Sequence, residues 1–187
     1  QEIKTRIEDD LARHTLLLKG FVALFDASEQ VTRKDFGDFY RSLVGQDSSY
    51  HFVGINFIEQ VPVDSLSNHI ARVRRDGMPL YTIQPSGTRA TYAPIVYIEP
   101  QAGSNLTALG YDPLTLAPAQ QALLRARDSG SLAMTRKLIL KQDAAQPIPG
   151  FSMYLPLYQS GLPQADVAQR QAALLGWIGG PIRAQDL

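Results

Sequence analysis

The first 26 residues have the spacing of an amphipathic helix. Apolar side chains recur every three or four positions, and the segment contains no proline. The main apolar stripe comprises Ile7, Leu11, Leu18, Phe21 and Phe25, and a second stripe comprises Leu16, Leu17 and Leu24. Charged residues concentrate in the first half. We therefore predict a long helix over 1–26 with a solvated amino end. One face should pack on the domain that follows, and another is available to a second copy of the helix.

Shorter periodic segments predict the remaining elements. Helical spacing occurs over 31–43, 62–75, 116–128 and 167–172, whereas β-forming residues occur over 50–58, 78–84, 92–98, 132–141, 151–158 and 174–183. Thr32, with Asp35 three residues later, is the predicted N-cap of the second helix. Segments 78–84 and 92–98 are expected to pair as a hairpin. This order predicts an α+β fold with an antiparallel sheet of about five strands and flanking helices.

Composition bounds the possible functions. Lys plus Arg and Asp plus Glu each total 18, so the formal net charge is zero and gives no support for a nucleic-acid partner. The absence of cysteine excludes disulfides and thiolate chemistry. The three histidines lack metal-ligand spacing, and neither a phosphate loop nor a nucleophile elbow is present. We therefore expect no catalytic residue, metal or cofactor in this domain. His14, in the helix stripe, is either a pH switch or an ordinary satisfied histidine.

Residues 91–112 carry the most specific signal, because a strand runs into a loop rich in Pro, Gly, Ser and Asn and then into a helix start. This arrangement is typical of one wall of a ligand pocket, and equally of a sheet strand followed by a surface loop. Asn105 and Asp112 have the same two interpretations: ligand contacts, or a loop tie and an N-cap respectively.

Six segments favour the pocket-wall interpretation, because they resemble a known family. YAPIVYIEP, NLTALGYD, ALLRARDSG, MTRKLIL, GFSMYLPLY and LLGWIGGPIR resemble, in order, the landmarks of the CHASE domain. That family forms the extracytoplasmic sensory part of bacterial histidine kinases and cyclases and of plant cytokinin receptors. The resemblance implies a PAS-like sheet leaning on the long helix. It divides the chain into a stalk or dimerisation helix, 1–28, and a membrane-distal, PAS-like ligand-binding domain, 29–187.

The resemblance also implies the context of the chain. No apolar run reaches the ~20 residues of a membrane span, and no signal peptide opens the sequence. Because membrane helices flank the sensor in this family, we expect a piece of a longer, membrane-anchored receptor with a periplasmic sensor. The piece should end before a second module. The expected partners are a small-molecule ligand, purine-like or another metabolite, and a second copy of the chain through the first helix. The alternative is a ligand-free dimerisation or protein-interaction module.

The candidate ligand-binding residues come from the strands and the loop. We predict contacts from Tyr92, Tyr97, Glu99, Leu109, Thr135, Lys137, Met153 and Tyr154, with Phe57, Ile95, Met134, Ser152 and Leu155 as further wall or polar candidates. Strict alternation would place only half of each strand in the pocket, and the sequence does not choose the face. In cytokinin receptors an aspartate contacts the ligand where this chain has Pro100, while Thr135 matches a contacting threonine. Cytokinin itself is therefore disfavoured, because an unpaired adenine edge would cost about 1–3 kcal/mol.

Overall fold

The computed structural model describes residues 2–45, 49–145 and 147–186. The helices are α1 (Glu2–Asp26), α2 (Arg33–Leu43), α3 (Leu66–Arg75), α4 (Ala117–Ser129) and α5 (Val167–Ala173). The strands are β1 (Ile55–Glu59), β2 (Val61–Pro62), β3 (Thr91–Tyr92), β4 (Ile95–Glu99), β5 (Ala133–Met134), β6 (Leu138–Ile139), β7 (Pro149–Tyr158) and β8 (Leu174–Arg183). Short 3-10 turns span Gly103–Ala108, Pro113–Thr115 and Lys141–Asp143.

Six strands form an antiparallel sheet in the order β4-β1-β8-β7-β5, and β6 also pairs with β7. The two-residue strands β2 and β3 pair with each other as a separate ribbon. The predicted α+β architecture, with a long helix against an antiparallel sheet, is confirmed. The long pairing of β7 with β8 forms the centre of the sheet, and both faces of this pair are buried.

Helix α1 packs across one face of the sheet. Its side chains Leu18 and Phe21 are fully buried, in one cluster with Met153 of β7 and Ile178 of β8. The charged amino-terminal turns of α1 are exposed, as the charge pattern predicts. Leu18 and Phe21 therefore belong to the face that packs on the domain itself, and dimerisation through another face stays a prediction. Leu16, which is 70% exposed, lies on a different side of the helix.

Helix α4 covers the opposite face of the sheet. Its alanine-rich side, together with Leu123, packs against Trp177 of β8. The indole N–H of Trp177 donates to the backbone carbonyl of Leu123 at 2.9 Å and thereby fixes the helix on the sheet. The sheet is thus the middle layer between α1 and α4.

The two N-caps predicted from the sequence are present in the structure. Thr32 caps α2: its side chain accepts from the backbone N–H of Asp35, and the Asp35 carboxylate accepts from the backbone N–H of Thr32. Asp112 likewise accepts from the backbone N–H of Leu114 and caps the turn Pro113–Thr115. Both capping predictions are confirmed.

Two predicted strands are wrong. Residues 78–84 form an irregular segment, in which the Tyr81 N–H bonds Met78 O in a turn and the Tyr81 carbonyl accepts from Arg74. At the end of the segment, Gln84 forms a single parallel bridge with Tyr111, and the predicted hairpin with 92–98 does not form. The predicted strand 132–141 is split into β5 and β6, because the Thr135 side chain takes the place of a backbone acceptor and receives the N–H of Ser152.

The first strand begins later than predicted. Regular pairing starts at Ile55, while Phe52 contributes a single bridge to Ile182. Gly54 separates the two parts: a Cβ there would lie 3.0 Å from both the Asn105 amide nitrogen and the Glu99 carbonyl oxygen. The backbone at Gly54 lies so close to Asn105 and Glu99 that any larger residue would displace them.

Candidate functional site

A cavity of about 330 Å³ lies on the α4 face of the sheet. Its floor is the sheet itself, from Asn56 and Ile58 of β1, Ile95 of β4 and Ser152 and Tyr154 of β7. Its walls are two segments that arch over the sheet. One wall comprises Tyr111, Pro113, Leu116 and Ala119, and the other comprises Leu138, Ile139, Leu140, Lys141, Gln142 and Ala144. We call residues 138–144 the roof segment.

Gly179 of β8 shapes the floor. It pairs with Asn56 on one side and with Tyr154 on the other. A Cβ at Gly179 would overlap the Asn56 side-chain oxygen and press on the Tyr154 ring at 3.2 Å. Glycine therefore leaves room for two polar side chains to lie across the middle of the sheet, and this room is part of the cavity floor.

Ion pairs hold the wall segments in place, and the residues that form them do not line the cavity. Arg183 of β8 donates two hydrogen bonds to the Asp143 carboxylate, at 2.7 and 2.8 Å, and so anchors the roof segment to the sheet. On the other side, the Asp112 carboxylate lies 3.2 Å from an Arg89 nitrogen. Burial raises the pKa of Asp112, while its N-cap bond and Arg89 oppose that rise.

The floor and walls present apolar surface with a small number of polar groups. Burial raises the pKa of Tyr154 to about 12, against the opposing effect of the Ser152 hydroxyl beside it. Burial also raises the pKa of Tyr111. Both phenols are therefore neutral hydrogen-bond donors near neutral pH. The Lys141 ammonium lies 5.4 Å from the centroid of the Tyr111 ring, at the exposed rim.

Of the eight predicted ligand-binding residues, the structure brings Tyr154 to this cavity, and of the further candidates it brings Ile95 and Ser152. Tyr97 and Met153 lie on the opposite, α1 face, where the Tyr97 hydroxyl donates to the Val31 carbonyl at 3.1 Å. Leu109 packs in the α4-side core without lining the cavity.

The remaining four lie elsewhere. The Tyr92 hydroxyl is used within its own loop, where it donates to the Gly87 carbonyl. Glu99 points toward α2, where a Cβ on Gly37 would collide with its carboxylate. The Thr135 hydroxyl accepts from the Ser152 backbone, and Lys137 is exposed. The eight residues thus do not form one site.

A β-bulge explains why alternation misplaces the face of β4. Phe57 pairs with Tyr97 and Ile58 with Ile95, so Val96 is the extra residue between two paired positions. Ile95 and Ile98 consequently share the α4 face, although they are an odd number of positions apart. Asn56, Lys141 and Gln142 line the cavity but were not among the residues predicted from the sequence. A polar Asn56 inside the apolar run of β1 is the signal that could have found one of them.

Asn105 serves as a loop tie. Its amide nitrogen donates to the carbonyls of Val53 and Pro100, at 3.1 and 3.0 Å, which joins the loop after β4 to the segment before β1. This side chain is buried and does not line the cavity. The loop-tie interpretation is confirmed.

A scan against protein families matches residues 29–187 to the CHASE domain. The chain belongs to the CHASE domain family. Membership of this family supports an extracytoplasmic sensor domain. Within the described parts of this CHASE domain, no helix is both long and apolar enough to cross a membrane. In the same residues, His, Asp and Glu form no group able to hold a metal.

Two solved structures share the fold of this CHASE domain. The periplasmic sensory domain of the Campylobacter jejuni chemoreceptor Tlp1 matches with a TM-score of 0.55 and 13% identity, over 99% of this chain and 58% of that one. The ligand-binding domain of the Pseudomonas aeruginosa PAO1 amino acid chemoreceptor PctC, in complex with GABA, matches with a TM-score of 0.50 and 18% identity, over 96% and 55%. The chain therefore spans little more than half of each neighbour. A search of curated proteins found no match.

Proposed function

We propose that this CHASE domain is the periplasmic ligand-binding domain of a membrane-anchored receptor of the histidine kinase or diguanylate cyclase type. Its ligand is a small metabolite bound in the cavity between the sheet and the roof segment. The domain itself carries no catalysis; the output activity belongs to another part of the receptor. The observation that carries the proposal is an apolar cavity of about 330 Å³, with a few polar groups, that the protein's own side chains leave unfilled.

The same strands connect the cavity to α1. Ser152 and Tyr154 face the cavity, whereas Met153 between them faces α1. Because side chains alternate along β7, a displacement of the floor by a ligand moves the packing surface of α1 directly. Helix α1 is thus the output element, and its movement relative to the sheet is the expected signal.

The entrance of the cavity offers a matched test of ligand binding. Ala144 lines the rim, while the neighbouring Ala145 is also exposed but does not line the cavity. Thermal shift against purines, amino acids and small carboxylates would identify a ligand, since a ligand at 100 times its Kd stabilises the folded state by about 2.7 kcal/mol. Ala144→Trp should abolish the shift and Ala145→Trp should preserve it. Binding that survives Ala144→Trp would place the site elsewhere.

Dimerisation through α1 is the second part of the proposal. Because Leu18 and Phe21 are buried within the domain, the face available to a second copy is the one that carries the exposed Leu16. Light scattering should show a dimer that Leu16→Glu dissociates without loss of helical content. A monomer at all protein concentrations would remove dimerisation of this domain from the proposal and leave ligand binding in place.

A further inference from the structure

The cavity floor contains a polar atom without a partner. Asn56 is 4% exposed, and its side-chain oxygen makes no hydrogen bond to any residue that the structure describes. The position lies in β1, paired with Gly179 and on the face that lines the cavity. A buried carbonyl oxygen is costly unless a donor reaches it, so this atom marks where a ligand's N–H or O–H belongs.

The charges around the cavity have one sign. Among the described residues no carboxylate lines it, and Lys141 at the rim has no acidic partner. Two carboxylates adjoin lining residues in the sequence and have partners of their own: Asp143 pairs with Arg183, and Asp112 pairs with Arg89 and caps the turn after it. A ligand ammonium would therefore lose its hydration without gaining a counter-charge, whereas an anionic group at the rim would meet Lys141.

We infer that the ligand is a small apolar or aromatic molecule without an ammonium group, which donates a hydrogen bond to Asn56 and carries an anionic group at the rim near Lys141. This inference rests on the proposed function and specifies its ligand class. The molecule lies with its apolar body against Ile58, Ile95 and Leu116. Ligands of the amino-acid class, such as the GABA bound by the PctC domain, are excluded by the same charge argument.

Matched probes test separately the hydrogen-bond donor, the anionic group and the exclusion of an ammonium group. Indole-3-acetate and pyrrole-2-carboxylate carry a ring N–H and a carboxylate, 1-methylindole-3-acetate lacks the donor, and tryptamine replaces the carboxylate by an ammonium. Titration calorimetry on the intact domain should show binding of the first class. Loss of the donor should weaken binding about tenfold to a hundredfold. Tryptamine and GABA should not bind measurably.

Variants assign each contact to its residue. Asn56→Leu should weaken the N–H probes about tenfold or more and leave 1-methylindole-3-acetate unchanged, because that probe has no bond to lose. Lys141→Gln should weaken the carboxylates about two- to fivefold, as expected for an exposed charge, and its matched control Lys137→Gln should not. If Asn56→Leu fails to fold, Asn56→Asp serves instead: a carboxylate on the floor should reverse the preference from acid to amine.

The outcomes distinguish the inference from the function on which it rests. Binding of amino acids or tryptamine in preference to the acids, abolished by Ala144→Trp, would overturn the ligand class and support the sensor proposal. Equal affinity for the N–H and N-methyl probes would overturn the role of Asn56. If no purine, amino acid, carboxylate or indole probe shifts the melting temperature, both the proposed function and the ligand class fall.

Discussion

His14 links α1 to the segment that leads into β1, and we expect this link to depend on pH. The imidazole is fully buried, and its Nε2 accepts the backbone N–H of His51 at 2.9 Å. Because Nε2 is an acceptor, the proton resides on Nδ1, which donates to the Asp10 carbonyl at 2.5 Å. The ring also meets Phe52 edge-on, with the centroids 4.7 Å apart. This geometry requires the neutral form of the ring.

Protonation would place a donor on Nε2 opposite the N–H of His51. Burial lowers the pKa of His14 below its ordinary value of 6.5; the charges of His51 and Arg13 act in the same direction, while Asp10 opposes them. The unfolded chain therefore takes up this proton at a higher pH than the folded domain. The contribution of His14 to stability is fully present above pH 6.5 and is lost as the pH falls toward the lowered folded pKa.

The magnitude follows from the same linkage. Below pH 6.5 the free energy of unfolding should fall by at most about 1.4 kcal/mol per pH unit on account of this single group. Between pH 7.5 and pH 5.5 the difference therefore reaches at most about 1.4 kcal/mol. His14→Gln removes the titrating ring and should reduce the pH dependence by up to that amount, at the expense of some stability at pH 7.5.

Urea unfolding at the two pH values, followed by circular dichroism, provides the measurement. His51→Gln is the matched control, because it removes a neighbouring histidine while its backbone N–H still bonds His14. The control should reduce the pH dependence less than His14→Gln does, because burial, the main cause of the lowered His14 pKa, remains. Identical pH dependence in the unaltered domain and in His14→Gln would refute the argument.

Three further predictions concern packing and loop ties. Leu18→Glu should lower the free energy of unfolding by about 3 kcal/mol or more in urea titrations, because it buries an unpaired charge, whereas Leu16→Glu on the exposed side should change it by less than about 0.5 kcal/mol. Asn105→Leu leaves two loop carbonyls without their donor and should cost about 1–3 kcal/mol in the same assay; a smaller loss would mean that water replaces the amide. Asp143→Asn weakens the bond to Arg183, so hydrogen exchange should accelerate in the roof segment and not in β1; uniform acceleration would argue against a local anchor.

Local chemistry made several parts of the fold predictable. The capping box at Thr32 and the cap at Asp112 require only residues within three positions of each other, so the sequence contains the whole interaction. The stripe containing Leu18 and Phe21 likewise predicts a buried helix face. It does not say whether the covering surface belongs to the same chain or to a second copy, because both bury apolar area equally well.

Strand boundaries were harder to predict. The irregular segment 78–84 contains β-forming residues, yet its backbone groups bond to a turn and to Arg74 from a separate helix. The split between β5 and β6 depends on the Thr135 hydroxyl reaching Ser152, which is 17 residues away. Neither the Arg74 contact nor the Thr135 contact leaves a trace in periodicity, because each joins a side chain of one element to the backbone of another.

The sequence by itself determined the element types of the long segments, the helix caps, the lack of cysteine chemistry and the family. Tertiary structure alone decided where the cavity lies. A bulge at Val96 changes which β4 side chains face α4, and Gly179 makes room for Asn56 and Tyr154. The roof segment then encloses space over them through an ion pair that joins residues 40 positions apart. A cavity is the space that the surrounding side chains leave unfilled, and its position is set only when segments distant in sequence have packed together.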